Sequence, residues 1–269
     1  MTSFEEDVIY QLRGEDQSFQ RFGLAFSRLW PTAQHVPMKY LVAASSALLI
    51  FVACHTTTRS VDKLEAPDPY TLIANRHLVS GIEARALDGL IHVVIEIPAG
   101  TTAKWEVSKD DGSLRWEFKN DKPRIVKYLA YPGNYGMVPS TLLPKHLGGD
   151  GDPLDVLVLG PAVARGSVVR ARVIGVLKLH DGGEQDDKLI AVMEGTALAG
   201  IADMVELDSK FNGVSSIIET WFSNYKGPGK MESLGFAGPE AAHSILNAAI
   251  GAFDSPMVEA QKILESVGL

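Results

Sequence analysis

Apolar and polar residues alternate with a period of two along several short stretches in the middle of the chain. "HVVIEIP" (His92–Pro98), "AKWEVS" (Ala103–Ser108) and "LRWEF" (Leu114–Phe118) each carry the pattern between Gly, Asp or Pro residues. Such punctuated alternation predicts β-strands. "PLDVLVLG" (Pro153–Gly160), "SVVRARVIGVLKL" (Ser167–Leu179) and "KLIAVM" (Lys188–Met193) continue the series. After Ala199 the apolar positions recur at three- and four-residue spacing, through "SKFNGVSSIIETWFSNYKG" (Ser209–Gly227) and "PEAAHSILNAAIGAFDSPMVEAQKILESV" (Pro239–Val267). That spacing predicts helices. A block of strands followed by a block of helices indicates an α+β fold, a closed or nearly closed β-barrel flanked by helices.

The N-terminal part follows a different pattern. "MKYLVAASSALLIFVAC" runs from Met38 to Cys54, with a lysine, an apolar stretch from Leu41 to Ala53, and then the cysteine. A bilayer-spanning helix needs about 20 apolar residues, so this stretch is too short to cross. Its length and flanks instead resemble a bacterial lipoprotein signal, in which the cysteine becomes the lipidated first residue; Phe51 stands where that motif prefers leucine. The alternative is a short buried helix ending at a core cysteine. The chain therefore divides into an acidic, mixed leader (1–37), the signal-like segment (38–54), a polar, proline-bearing linker (55–68) and one catalytic-size domain (69–269).

Composition narrows the chemistry. With 269 residues, 46% hydrophobic and 22% charged, the chain can build a sizeable core. A formal net charge of −8 disfavours a nucleic-acid binder, which normally shows a basic face. The single cysteine excludes an internal disulfide and any multi-cysteine zinc site.

"GGDGDPLDVLVLG" sets Asp150, Asp152 and Asp155 immediately before a buried strand. Like charges this close repel and raise one another's pKa unless a cation sits among them. The loop is not an EF-hand, since Pro153 occupies its middle and the third acid comes one place late. It is either a solvated turn or a hard-cation site. "LHDGGEQDDKL" places Asp181 and Asp186 in a second glycine-rich loop, followed by Lys188. Oxygen-only donors from short loops suit Mg²⁺ or Mn²⁺. Glu96 is an acid inside an otherwise apolar strand, costly there unless paired. Lys104 and Glu106 fall on one face of their strand. Arg124 precedes "YLAYPGNYG", in which Pro132, Gly133 and Asn134 predict a turn holding Tyr131 and Tyr135. "NYKG" closes a helix with Tyr225 and Lys226, where a lysine also complements the helix dipole.

Taken in order, "VVIEIP", "K-x-E", "YPGNYG", "DGDPLD", "D-x4-D-x-K" and "YKG" resemble the soluble family I inorganic pyrophosphatases over Leu90 to about Gly227. The resemblance implies a five-stranded OB-like barrel with helices around it, hydrolysis of pyrophosphate to two phosphates, several Mg²⁺ ions per site (Mn²⁺ being the alternative) and a homo-oligomer. Residue by residue, it implies metal ligands at Asp150, Asp155, Asp181 and Asp186, with Glu96 supporting the metal cluster. It implies a carboxylate at Asp152 that orients or deprotonates the attacking water. Lys104, Arg124, Tyr135, Lys188, Tyr225 and Lys226 match phosphate contacts, with Glu106 and Tyr131 as further members. Arg124 stands seven residues before Tyr131, one fewer than in the common bacterial pattern, and Lys122 and Lys127 are the nearby cations that could replace it.

Two other readings remain open. One is a metal phosphohydrolase acting on a nucleotide or phosphomonoester; the other is a lipid-anchored module that binds Ca²⁺ without turnover. The family is usually cytoplasmic, whereas lipidation at Cys54 would place the domain at the cell envelope, on the periplasmic side.

Overall fold

The computed structural model describes residues 63–143 and 151–254. The signal-like segment with Cys54, and Asp150 of the aspartate loop, lie outside these residues. Within them the chain forms β1 (Glu65–Asp68), β2 (Thr71–Ile73), β3 (Ile91–Ile97), β4 (Trp105–Val107), β5 (Leu114–Trp116), β6 (Phe118–Lys119) and β7 (Lys122–Pro123). There follow β8 (Asn134–Met137), β9 (Asp155–Leu159), β10 (Val168–Asp181), β11 (Glu184–Gln185) and β12 (Lys188–Met193). Helices α1 (Met204–Lys210) and α2 (Val214–Asn224), strand β13 (Met231–Ala237) and helix α3 (Pro239–Phe253) complete the series. No helix among the described residues is long and apolar enough to cross a membrane.

Five strands pair in a closed circuit. β3 pairs with β8, β8 with β9, β9 with β12 and β12 with β10. The first residues of β10, Val168–Ala171, then return to pair with β3. β10 can serve several partners because it is 14 residues long; its later part also pairs with β11 and β13. All these pairs are antiparallel except β9 with β12. A smaller sheet, in the order β1-β2-β5-β4, and the β6–β7 hairpin stand apart from the circuit.

Alternation divides most of the circuit's side chains between two apolar clusters, while Val94 and Met137 join a third with Leu78, Trp105 and Leu114. Val156 and Val158 of β9, with Leu189, Ala191 and Met193 of β12, pack on the side covered by Ala242, Leu246 and Ala249 of α3. Leu157, Leu159, Ile190 and Val192 pack on the other, with Ile218, Trp221 and Phe222 of α2. In β10 the parity changes. Ala171 and Val173 face the α3 side, but so does Val176, while Ile174, Leu177 and Leu179 face α2. A bulge between Val173 and Gly175 supplies the extra residue that flips the faces.

Four features depart from the pattern read in the sequence. β13 lies between the helices, so strands and helices are not strictly successive; it exists because it extends along β10, and only Met231 of its seven residues is buried. The long helix expected from Ser209 is two helices, separated at Gly213 with φ 89°, a left-handed conformation natural to glycine. α1 starts at Met204, where Asp203 accepts a hydrogen bond from the Glu206 N–H (2.8 Å) and the Glu206 carboxylate accepts one from the Ala202 N–H (2.7 Å), a reciprocal cap. "YPGNYG" leads into strand β8 at Asn134 rather than remaining a turn. β1 lies within the stretch read as linker.

Candidate active site

The α2-facing side of the circuit ends in charge. Asp155 opens β9 and Lys188 opens β12, and the parallel register that sets Leu189 against Val156 makes the two neighbours. By alternation both continue the face carrying Leu157 and Ile190. Asp181, the last residue of β10, shares the face of Leu177 and Leu179. Asp186 is tied to that strand by its N–H, which donates to the Leu179 carbonyl (2.8 Å). The acids noticed as two separate loops therefore meet at one mouth.

Lysines link them. The Lys188 ammonium, 2% exposed, pairs with Asp155 and lies 2.6 Å from Asp186. Burial works against its charge, but Asp155 and Asp186 outweigh burial and hold its pKa well above the usual lysine value. Asp155 is driven upward by burial yet ends below the ordinary carboxylate range, because Lys188, Lys104 and the Tyr135 hydroxyl favour its anion. Lys226, just beyond α2, pairs with Asp181 and lies 3.8 Å from Asp186. Its pKa too is raised, burial being outweighed by Tyr225, Asp181 and Asp186.

Glu96 and Lys104 are two further buried ionisable groups. β3 and β8 pair Ile95 with Gly136 and Ile97 with Tyr135, so a bulge falls at Glu96. Bulges re-aim side chains in this way. The Glu96 carboxylate accepts a hydrogen bond from the Val107 N–H (2.8 Å). Burial pushes its pKa up to about 8, against the pull of Lys104. Lys104 is buried and contacts Glu106 at 2.5 Å. Burial lowers its pKa, but Glu106, Glu96 and Asp155 together raise it overall.

Phenols and indole form a wall beside these charges. Tyr131 and Tyr135 are buried, with ring centroids 5.2 Å apart, and Trp221 packs 4.4 Å from Tyr131 and stacks on Tyr225 at 4.7 Å. The Trp221 indole N–H donates to the Leu129 carbonyl (2.8 Å), fixing α2 to the segment that carries the tyrosines. Burial and the surrounding acids and phenols hold both Tyr131 and Tyr135 protonated, as hydrogen-bond donors. Arg124 holds both Glu117 oxygens at 2.7 Å. Its charge is stabilised against burial by Glu117 and, more weakly, by Tyr225 and Tyr131.

Asp152 projects from the rim, about half exposed, where Lys109 pairs with it and lies 3.4 Å from the Gly151 carbonyl. Lys109 was not singled out by pattern, nor was Arg165, which donates to the Glu96 carbonyl (3.0 Å) and lies 4.3 Å over the Trp105 ring. Both act through contacts distant in sequence. Trp221 could have been marked as a core residue by its helical spacing, but not as a support for Tyr225.

Among the described residues no three carboxylate, imidazole or thiol groups already encircle a single point. Asp155, Asp186 and Asp181 are instead strung together by Lys188 and Lys226. The donors are all oxygen and converge on one mouth, which fits a hard divalent ion that takes few carboxylates and keeps its waters. The residues present fit such an ion.

Comparison with known proteins gives the family of the chain. The family model described as "Pyrophosphatase: Inorganic pyrophosphatase" matches residues 93–254. An inorganic pyrophosphatase of Gluconobacter oxydans is 41% identical over 137 residues, covering 51% of this chain and 73% of its own length. One from Ralstonia nicotianae is 39% identical over 158 residues, covering 56% of this chain and 84% of its own. The crystal structure of inorganic pyrophosphatase from Thermus thermophilus superposes with a TM-score of 0.57 at 30% identity, over 67% of this chain and all of that one. The Helicobacter pylori enzyme gives 0.55 at 33% identity, over 65% and 99%. The chain belongs to the inorganic pyrophosphatase family.

Proposed function

We propose that the chain hydrolyses inorganic pyrophosphate to two phosphates in a Mg²⁺-dependent reaction. The observation that carries this reading is the interleaving of Asp155, Asp181 and Asp186 with Lys188 and Lys226 at one mouth, walled by protonated tyrosines. Divalent cations, when bound, would screen the tetra-anionic substrate and make a water nucleophilic near neutral pH. Asp155, Asp181 and Asp186, with Asp150 of the same loop, would hold them, supported by Glu96 and Glu106; Mn²⁺ is the substitute ion expected from the donor set. Lys188 and Lys226, which pair with those acids in the metal-free chain, would be available to phosphate oxygens with cations bound. Lys104, Arg124 and the phenols of Tyr135, Tyr131 and Tyr225 add donors around the anion, stabilising charge on the departing phosphate. Asp152, half exposed at the rim beside Lys109, accepts the proton of the attacking water.

The test is phosphate release from pyrophosphate by the full chain, with Mg²⁺ and with chelator, beside Asp152→Asn. Strong Mg²⁺-dependent turnover that falls on the order of 10²–10⁴-fold in the variant supports the reading. A folded chain that releases no phosphate at any Mg²⁺ or Mn²⁺ concentration overturns it.

The signal-like segment supports lipidation at Cys54 and placement at the cell envelope, where the enzyme would recover phosphate rather than pull cytoplasmic biosynthesis forward. Globomycin-sensitive processing at Cys54 tests this, and its absence returns the chain to the cytoplasm. The family resemblance supports a homo-oligomer, which light scattering of the purified chain decides.

A further inference from the structure

We infer that Asp187 is a positioning residue, clamping the hairpin that presents Asp181, Asp186 and Lys188 from its reverse side; this rests on the reading of those residues as the metal and substrate site. The side chain of Asp187 is 7% exposed and gathers three donors. The Lys178 ammonium pairs with it, the Gln185 amide donates to Oδ2 (2.6 Å), and the Leu179 N–H donates to Oδ1 (3.1 Å).

The register explains why this carboxylate is needed. β10 pairs Leu177 with Lys188 and His180 with Gln185, so Lys178 stands opposite Asp187, and Leu179 opposite Asp186. In an antiparallel pair such as Leu179 and Asp186, each residue ordinarily donates its N–H to the other's carbonyl. One half is present: the Asp186 N–H donates to the Leu179 carbonyl (2.8 Å). The other half is replaced, since the Leu179 N–H goes to the Asp187 carboxylate. The ladder opens at the step that carries Asp186. Neither Asp186 nor Asp187 belongs to a strand, whereas the residues on both sides do.

Parity then separates the two functions. Asp181, Asp186 and Lys188 lie on the face of Leu177 and Leu179, while Lys178, Gln185 and Asp187 lie on the opposite face. The clamp therefore touches no substrate; it sets where the front-face carboxylates stand. Without it, the glycine-rich turn at Gly182 and Gly183, both with positive φ, gives the hairpin little stiffness of its own.

Full-length Asp187→Asn, Lys178→Met and the double variant are titrated with Mg²⁺ by calorimetry, with Asp186→Asn as reference and thermal unfolding in chelator recorded for each. The expected result is a loss of Mg²⁺ affinity on the order of tenfold in Asp187→Asn, a size typical of groups that orient ligands. Lys178→Met should lose a similar factor and the double variant no more than either, because both remove one clamp. Steady-state assays should show the loss recovered at saturating Mg²⁺, with kcat restored. Mg²⁺ affinity within twofold of wild type in the clamp variants, while Asp186→Asn is weakened, overturns the proposal and leaves the site assignment intact. Unchanged affinity in Asp186→Asn as well overturns both. If Asp187→Asn does not fold, Lys178→Met decides, since Lys178 is a third exposed and its loss leaves the Leu179 bond in place.

Discussion

Lys188 and Asp155 begin two parallel, neighbouring strands, and their side chains close an ion pair at the strand mouths. Removing one partner of a fully buried pair costs about 3–5 kcal/mol, and the lower end applies here, because the Asp155 and Asp186 side chains are 32% and 20% exposed. Here the Lys188 ammonium also touches Asp186, so Lys188→Met strands two carboxylates at once. Denaturant unfolding in chelator should show a loss of about that size. Mg²⁺ should return much of it, because a bound divalent ion supplies the missing charge and binds only the folded chain. Turnover should remain depressed by about 10²–10³-fold even at saturating Mg²⁺, the range for losing one donor to developing charge. A stability loss that Mg²⁺ leaves untouched would remove these acids from the metal site.

Glu96 gives the metal-free protein a pH dependence whose sign follows from its raised pKa. The carboxyl moves from 4.5 to about 8 through burial, so the folded state holds a proton that the unfolded state has released. Its contribution is fully present below pH about 4.5 and declines as pH rises to about 8, then levels. Each unit is about 1.4 kcal/mol, and relaxation will reduce the full span to about 2–4 kcal/mol. Glu96→Gln should flatten this window in chelator and make the apo protein more stable than wild type at pH 8. With Mg²⁺ present the sign should reverse, because a cation favours the carboxylate. Equal pH slopes for wild type and Glu96→Gln in chelator would show that Glu96 does not titrate there.

Which parts of this arrangement were readable in advance follows from how far each feature depends on distant contacts. The strand from Ile91 to Ile97 announced itself through a local run of β-branched residues, although burial does not alternate along it and spares only His92, and Glu96 stood out as the one acid within it. Asp155, Asp186, Lys188 and Lys226 each fit an ordinary surface role alone, and became visible as chemistry only through the ordered set of motifs to which they belong. β13 was not visible: its pattern of mostly half-buried and exposed residues, with Gly235 inside, makes sense only against the edge of β10. The break at Gly213 is masked in the sequence by apolar spacing that continues across it, although its left-handed φ ends one helix and starts the next. Lys109, Arg165 and Asp187 owe their roles to partners brought together by folding, from 43 residues away for Lys109 and 69 for Arg165. For Asp187 the key was strand parity, which needs the register first.

Gly136, the last residue of "YPGNYG", has a mechanical reason to be glycine. It pairs with Ile95 in the β3–β8 ladder, and a Cβ there would come within 1.9 Å of the Val94 carbonyl oxygen, a backbone atom that cannot step aside. Gly136→Ala should therefore shift β8 against β3 and cost on the order of 3 kcal/mol, within the range for forced overpacking. Because Tyr135 and the Glu96 bulge share that ladder, activity should fall along with stability. An alanine variant that melts with wild type would show that the two strands lie farther apart than this register allows.

Among the proposed phosphate contacts, Arg124 is the one that the sequence left least fixed, with Lys122 and Lys127 as rivals. Its guanidinium grips both oxygens of Glu117, and its backbone carbonyl accepts from the Lys104 N–H (3.0 Å) and the Trp116 indole (2.9 Å). The same segment that buries Lys104 therefore sets Arg124 near Tyr131 and Tyr225. Lys122 belongs to the exposed β6–β7 hairpin. The guanidinium holds Glu117 through Nη1 alone and carries further N–H groups on Nη2 and Nε, whereas a lysine has a single nitrogen for both tasks. Arg124→Lys should raise KM for pyrophosphate on the order of tenfold with a smaller change in kcat, the mark of lost substrate binding. Lys122→Gln should leave both constants within twofold of wild type. The reverse pattern, KM rising in Lys122→Gln and not in Arg124→Lys, would hand the phosphate contact to the hairpin.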